Sequence, residues 1–257
     1  MAIPLAENHW PNSKCAKAFW SQQRIPPYRQ LLSDTLDWAD PQPGERWLDL
    51  GCGSGPLSGG LWNRSRGKVG AVTGVDCAAV NETAYARLRE TLQPPPEDRI
   101  RFECRDFSNG LTAYDEAAFD NAVSGLSISY AEHFDEATGK WTMFAYDRLL
   151  SEVRRVVRPG GRFVFSVNVP NPSWFAVAWR SLPTMFTSGR PLKHLKASWR
   201  MLRYGRWLKS EARRGRFHYL PAEIVAEKLR AAGWAHVEHR VSYSRQAYIF
   251  RAVNTGQ

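Results

Sequence analysis

The sequence predicts an α/β fold, a largely parallel sheet with helices on both faces. Three observations carry this. A short apolar strand runs into a glycine-rich turn at Trp47-Leu-Asp-Leu-Gly-Cys-Gly-Ser-Gly55. Strand-like apolar runs then alternate with helical patterns as far as Asn168. The second and third strands each end in an acid, Asp76 and Asp106.

Composition bounds the rest. With 257 residues, 43% of them hydrophobic, the chain can bury one sizeable core and has length to spare for an insertion. Its four cysteines (Cys15, Cys52, Cys77, Cys104) form no C-x-x-C pair and sit beside no histidine cluster, so reduced thiols are expected and no metal site. No apolar run approaches 18 residues, and the first residues lack a charged stretch followed by an apolar one. The expected location is the cytoplasm.

In chain order, residues 1–43 read as an N-terminal cap. Pro26 and Pro27 open a helix in which Tyr28, Leu31, Leu32 and Leu36 recur at helical spacing, and a Pro-Gln-Pro-Gly turn ends it. Trp20 and Tyr28 are the candidate substrate contacts from this cap. The glycines Gly51, Gly53 and Gly55 let the backbone turn sharply and bring a ligand close to its N–H groups, and a helix is expected from about Leu57, its N-terminus aimed at that ligand. Asp49, two residues before the first glycine, places a carboxylate that suits a cationic group and not a pyrophosphate. The dinucleotide pattern G-x-G-x-x-G is absent, since its third position falls on Pro56.

Residues 67–76 form the second strand, and a carboxylate at its end, Asp76, can accept two adjacent ribose hydroxyls. A helix over 84–92 stops at three prolines, and Ile100–Phe107 reads as the third strand. Phe119–Gly125 is the fourth strand, and Ala145–Val157 a helix with Leu149, Leu150, Val153 and Val156 on one side. Arg158-Pro-Gly-Gly161 ends it, and Arg162–Asn168 is a buried fifth strand. A helix over 221–232 precedes two last strands, 236–241 and 247–253, forming the antiparallel end of the sheet.

The Asp-Leu-Gly-Cys-Gly-Ser-Gly run, the acids at strand ends two and three, and the helix, Arg-Pro-Gly-Gly, strand sequence resemble the class I S-adenosylmethionine-dependent methyltransferases, in the group that includes quinone-biosynthesis enzymes. The resemblance covers 44–169 and 221–257 and implies a Rossmann-like seven-stranded sheet. It implies S-adenosylmethionine as cofactor, with the loop around the methionine moiety and Asp49 near its amino end. It also implies that Asp106 and Phe107 hold the adenine, Asp76 the ribose, and that Cys52, Cys77 and Ser124 lie along the cofactor. It places the methyl group beside the segment after strand four, where Ser129, Tyr130 and His133 stand out. Tyr130 and His133 are expected to orient the acceptor or remove its proton, with Ser129 in contact. An Asn/Asp-Pro-Pro-aromatic motif, typical of nucleic-acid amino-methylating enzymes, is absent there; the position reads Ser124-Gly-Leu-Ser.

The insertion, 170–220, is where the charge lies. Eleven Lys/Arg and one acid between 171 and 220 account for the whole formal excess of +10. Leu192, Leu195, Trp199 and Leu202 repeat at helical spacing, with Lys193, Lys196, Arg200 and Arg203 one position behind. A basic amphipathic stretch with tryptophans reads as a lid that docks through 171–217 on an anionic membrane, peripheral to the inner face. The alternatives are a plain lid that packs its apolar stripe on the core, and an RNA-binding face, which the apolar content disfavours. The expected function is methylation of a small, lipophilic or membrane-associated acceptor; a non-catalytic binding protein is the other alternative.

Overall fold

A computed structural model describes residues 10–20, 25–173 and 204–256 of the chain. The strands are β1 (Arg46–Leu50), β2 (Ala71–Asp76), β3 (Ile100–Cys104), β4 (Asn121–Gly125), β5 (Phe134–Asp135), β6 (Lys140–Trp141), β7 (Arg162–Asn168), β8 (Ala235–Ser242) and β9 (Ala247–Val253). Seven of them form one sheet in the order β3-β2-β1-β4-β7-β9-β8. The first five in that order run parallel, and β9 pairs antiparallel with both β7 and β8. The helices are α1 (Ser13–Phe19), α2 (Pro26–Ala39), α3 (Pro56–Arg64), α4 (Asn81–Thr91), α5 (Phe144–Val156), α6 (residues 204–213) and α7 (Ala222–Ala231).

The sheet is covered on both faces, which is why its central strands are apolar throughout. Along β1 the side chains alternate: Leu48 and Leu50 join the cluster formed with α5 and α7, while Trp47 joins the one formed with α2 and α3. Asp49 shares the Trp47 face and is therefore buried toward α3. The apolar stripe of α5 (Leu149, Leu150, Val153, Val156) is buried against Phe163 and Phe165 of β7.

Most element boundaries fall within a few residues of the sequence expectation. Four features differ. Helix α1 emerges from the cap, its N-terminus held by Asn12, whose side chain accepts from Lys14 N at 2.9 Å. The hairpin β5–β6 follows the segment after β4. Phe107 lies past β3, at the start of a 3₁₀ turn (Phe107–Asn109) that Asp106 caps. The last two strands lie side by side at the sheet's end, but β9 sits inside β8.

The Arg158–Gly161 turn is fixed by contact. A Cβ at Gly161 would stand 2.1 Å from the Asp120 carbonyl oxygen, a backbone atom that cannot move aside. Gly161→Ala is expected to cost about 2 kcal/mol or more, read as a lower urea midpoint at unchanged slope. An unchanged midpoint would contradict this packing.

Candidate active site

A cavity of about 420 Å³ opens over the C-terminal ends of β1, β2, β4 and β7. One end is made by the glycine loop and by Asp76, Cys77, Asp106 and Phe107. Gly51 has φ +64° and packs so tightly that a Cβ there would fall 2.2 Å from Ser127 Cβ. Gly53, at φ +54°, faces open space, with nothing within 4 Å of where a Cβ would stand. The first glycine therefore lets chain approach chain, and the second leaves the loop bare toward a ligand. Asp76 braces the loop: its Oδ2 accepts from Gly53 N at 3.0 Å and its Oδ1 from Ala78 N at 2.9 Å. Burial raises its pKa and these bonds oppose the rise. The Asn81 side chain adds a third bond to this carboxylate, and a carboxylate at a strand end retains acceptor capacity that suits ribose hydroxyls.

Asp49 does not line this cavity. Its Oδ2 accepts from Ser58 N (3.1 Å) and Ser58 Oγ (2.7 Å), capping the N-terminus of α3, and Ser58 Oγ reaches Tyr85 Oη at 2.7 Å. Burial pushes its pKa up to about 7, the Ser58 bonds pull against this, and the nearby Asp76 charge adds to it. The sequence expectation of a carboxylate facing the ligand thus gives way to one seated beneath the loop. Ser124 is also beneath it: its Oγ donates to Leu50 O (2.9 Å) and shares a hydrogen bond with Ser127 Oγ (2.6 Å), and it is Ser127 that lines the cavity. Cys52 is buried but lines the cavity, as does Cys77.

The other end is aromatic, walled by Trp10, Phe19, Tyr28, Tyr130, Tyr204 and Tyr243. Helices α1 and α6 form its roof, so the described part of the insertion, 204–220, packs onto the core. A buried ionic latch holds this roof. Arg216 donates from Nε to Glu132 Oε2 (2.7 Å) and from Nη1 to Glu211 Oε2 (3.3 Å), while Trp10 Nε1 donates to Glu132 Oε1 (2.9 Å). The Arg216 guanidinium also lies 4.8 Å from the Trp141 ring centroid. The stripe Lys193, Lys196, Arg200 and Arg203 lies outside the described residues.

Of the acceptor-side residues expected from sequence, Tyr28 and Tyr130 line the cavity. Trp20 stands one residue back, donating from Nε1 to Asn81, which does line it. Ser129 is fully buried, and its carbonyl accepts from His218 N. His133 does not reach the cavity: its Nδ1 meets Thr142 Oγ1 at 2.9 Å and its ring packs on Phe144, which fixes the β5–β6 hairpin. Tyr130 Oη is bonded to Tyr219 Oη (2.9 Å) and Asn168 Nδ2 (3.2 Å), and burial pushes its pKa up to about 12. Its hydroxyl is thus held in the protonated form. Trp10, Asn168, Tyr204, Leu208 and Tyr243 line the cavity without a sequence signal beyond their type. Among the described residues no group of His, Cys, Asp and Glu could hold a metal, and no helix is long and apolar enough to cross a membrane.

Sheet order, bare loop and strand-end acids together define the class I methyltransferase fold. Residues 48–165 match the family described as a methyltransferase domain, and this stretch is such a domain, of the S-adenosylmethionine-dependent class. A curated relative, 2-phytyl-1,4-naphtoquinone methyltransferase from Trichormus variabilis, is 28% identical over 142 residues, covering 54% of each chain. The chain thus spans about half the length of that relative. Among solved structures, a SAM-dependent methyltransferase from Aquifex aeolicus superposes with TM-score 0.59 at 13% identity, covering 94% of this chain and 97% of that one. The N-methyltransferase NodS from Bradyrhizobium japonicum, solved with S-adenosyl-l-homocysteine, gives 0.56 at 16% identity with 91% of each chain covered. The residues present fit S-adenosylmethionine: the bare face of Gly53 and the braced Asp76 leave room and acceptors where a nucleoside and an amino-acid end would lie.

Two outcomes test these assignments. With its folded pKa above the ordinary carboxylate value, Asp49 holds a proton in the native state that the unfolded chain has released. Its contribution to stability therefore falls as the pH rises from about 4 to about 7. The stability of wild type minus that of Asp49→Asn should decline across this window in urea unfolding; a constant difference would refute the assignment. Arg216→Ala leaves Glu132 buried with only the Trp10 N–H, while Glu211 keeps the exposed Arg214 (3.0 Å), and should cost about 3 kcal/mol or more by the same measurement, where a surface pair would cost under about 1 kcal/mol.

Proposed function

We propose that the protein transfers a methyl group from S-adenosylmethionine to an uncharged, largely apolar small molecule. The observation that carries this is the single cavity joining a glycine- and acid-lined end to an aromatic, roofed one. When bound, the cofactor supplies an already activated methyl group on a sulfonium, so the chain's work is placement and exclusion of water. On this reading the amides of Gly51–Gly55 hold the methionine end, Asp76 the ribose hydroxyls, and Asp106 and Phe107 the adenine. Asp49 acts through Ser58 and α3, keeping the loop in place. The tyrosine faces offer a positive sulfonium favourable contact while the latched roof keeps water out.

With Tyr130 protonated and His133 elsewhere, no base stands at the aromatic end among the described residues. The acceptor that suits such a site carries a nucleophile needing no proton removed by the protein, such as an electron-rich ring carbon. The lipophilic ring named for the Trichormus relative is in keeping with this. Docking on an anionic membrane belongs to the same reading, supported by the overall charge of the insertion and by Arg206, Arg213 and Arg214, which are exposed on and just beyond α6.

Calorimetry with S-adenosylhomocysteine is expected to show binding, and Asp76→Ala to weaken it by about tenfold or more, since charge-assisted bonds to two hydroxyls are lost. Binding of a nicotinamide dinucleotide in its place would overturn the reading. Incubated with cofactor radiolabelled on the methyl group, a total lipid extract should take up label and total RNA should not. Label confined to RNA would favour the nucleic-acid alternative; sedimentation with phosphatidylglycerol vesicles should fall with added salt without vanishing, and failure to sediment with them would remove the membrane component.

A further inference from the structure

The turn between β8 and β9 is the most constrained backbone beside the cavity. Tyr243, Ser244 and Arg245 have φ of 53°, 55° and 66°, three consecutive non-glycine residues in the left-handed region. Such conformations are costly, and they persist only where the surroundings enforce them. Here they are enforced from both sides. Gln246 N donates to Tyr243 O (3.0 Å), Val169 N donates to Gln246 O (3.1 Å), and Ser173 N donates to the Gln246 side chain. Because β9 is antiparallel to β7 and begins at Ala247 opposite Asn168, this turn stands at the sheet edge over which the cavity opens.

What the turn delivers is one side chain. The Tyr243 ring is buried and lines the cavity, edge-on to Tyr28 with centroids 6.1 Å apart. Its hydroxyl makes no hydrogen bond among the described residues, in contrast to Tyr130, whose hydroxyl is engaged by both Tyr219 and Asn168. Burial and the neighbouring tyrosines Tyr28 and Tyr130 hold the Tyr243 phenol in its protonated form. A neutral O–H without a partner among the described residues, fixed by a strained turn inside an apolar enclosure, is a donor poised for a ligand atom.

We propose that Tyr243 fixes the methyl acceptor by donating a hydrogen bond from its hydroxyl to an uncharged oxygen on an otherwise apolar ring. The inference deepens the reading above and rests on it in assigning the aromatic end of the cavity to the acceptor. An anionic oxygen would also accept this bond, but among the described residues lining the enclosure the one cation is Lys14, which is exposed. A ring without an oxygen would leave the donor unpaired. Tyr243 thereby selects among apolar molecules by a single polar atom.

The test uses the full chain and three probes of the same ring, naphthalene, 2-methoxynaphthalene and 2-naphthalenecarboxylate, titrated by quenching of tryptophan fluorescence. Wild type should bind the methoxy compound roughly three- to tenfold more tightly than naphthalene, the range of one neutral hydrogen bond, and the carboxylate more weakly than either. Tyr243→Phe keeps the ring and removes only the hydroxyl. It should bring the two neutral probes to within about twofold of each other, with naphthalene affinity unchanged. The proposal is overturned if wild type does not distinguish the neutral probes, if Tyr243→Phe preserves the distinction, or if the variant loses both together. Calorimetry with S-adenosylhomocysteine on the same samples separates the two readings. Probe discrimination without cofactor binding would sink the methyltransferase reading, and with it the ring's role as methyl acceptor, while the hydrogen bond from Tyr243 would stand; cofactor binding without probe discrimination would sink only the Tyr243 proposal.

Discussion

The hydrogen bonds between buried Asp49 and Ser58 are the constraint from which the rest of the site follows. They join the end of β1 to the first turn of α3, so the five residues between them have no choice but to arch. Ser58 passes the connection to Tyr85 of α4, which reaches this point because Gly74 has no Cβ; one built there would lie 2.0 Å from Tyr85 Oη. Strand, two helices and loop are thereby held through one carboxyl group. That it is seated out of water raises its pKa, the local cost of an arch whose outer face stays free for a ligand.

The two ends of the cavity are built on different physics. The loop end depends on backbone conformation and short polar contacts, with Gly51 against Ser127 and Asp76 on Gly53 N. The aromatic end depends on ring packing under a roof, and that roof is held by Arg216 between two carboxylates. A buried guanidinium with several acceptors is well suited to hold one geometry, since its planar fork admits few alternatives. The loop end lies within the stretch that matches the methyltransferase family, residues 48–165, whereas the aromatic end also uses residues from α1, α6 and the β8–β9 turn, outside that stretch.

How much of this was legible in the sequence follows the same division. The glycine loop, the strand-end acids Asp76 and Asp106 and the turn at Gly160 and Gly161 were readable because backbone geometry restricts the residue type at each. The alternation along β1 already put Asp49 on the Trp47 face, away from the ligand, but the motif drew attention to its charge instead of its direction. His133 attracted notice by type alone, and a sequence does not display Thr142 and Phe144 waiting beside it. Helix α1 has seven residues, too few to announce itself by periodicity, and it is held by contacts such as Trp10 with Tyr130 and Phe217 that join distant parts of the chain. The placement of β9 inside β8 is a matter of pairing order, which no local pattern encodes.

The separation of the two ends along the chain has a consequence for maturation. Everything that braces the loop lies between Arg46 and Ser127, so the loop end closes through contacts of modest sequence separation. The aromatic half needs Trp10 to meet Glu132, 122 residues away, and Arg216 to meet the same carboxylate from 84 residues beyond it. Chain closure of that span is entropically late. During synthesis the residues that brace the loop, between Arg46 and Ser127, leave the ribosome well before Arg216, so the loop end can set before the chamber has its roof. The chamber therefore closes by docking onto a loop end whose own braces are already present in the chain.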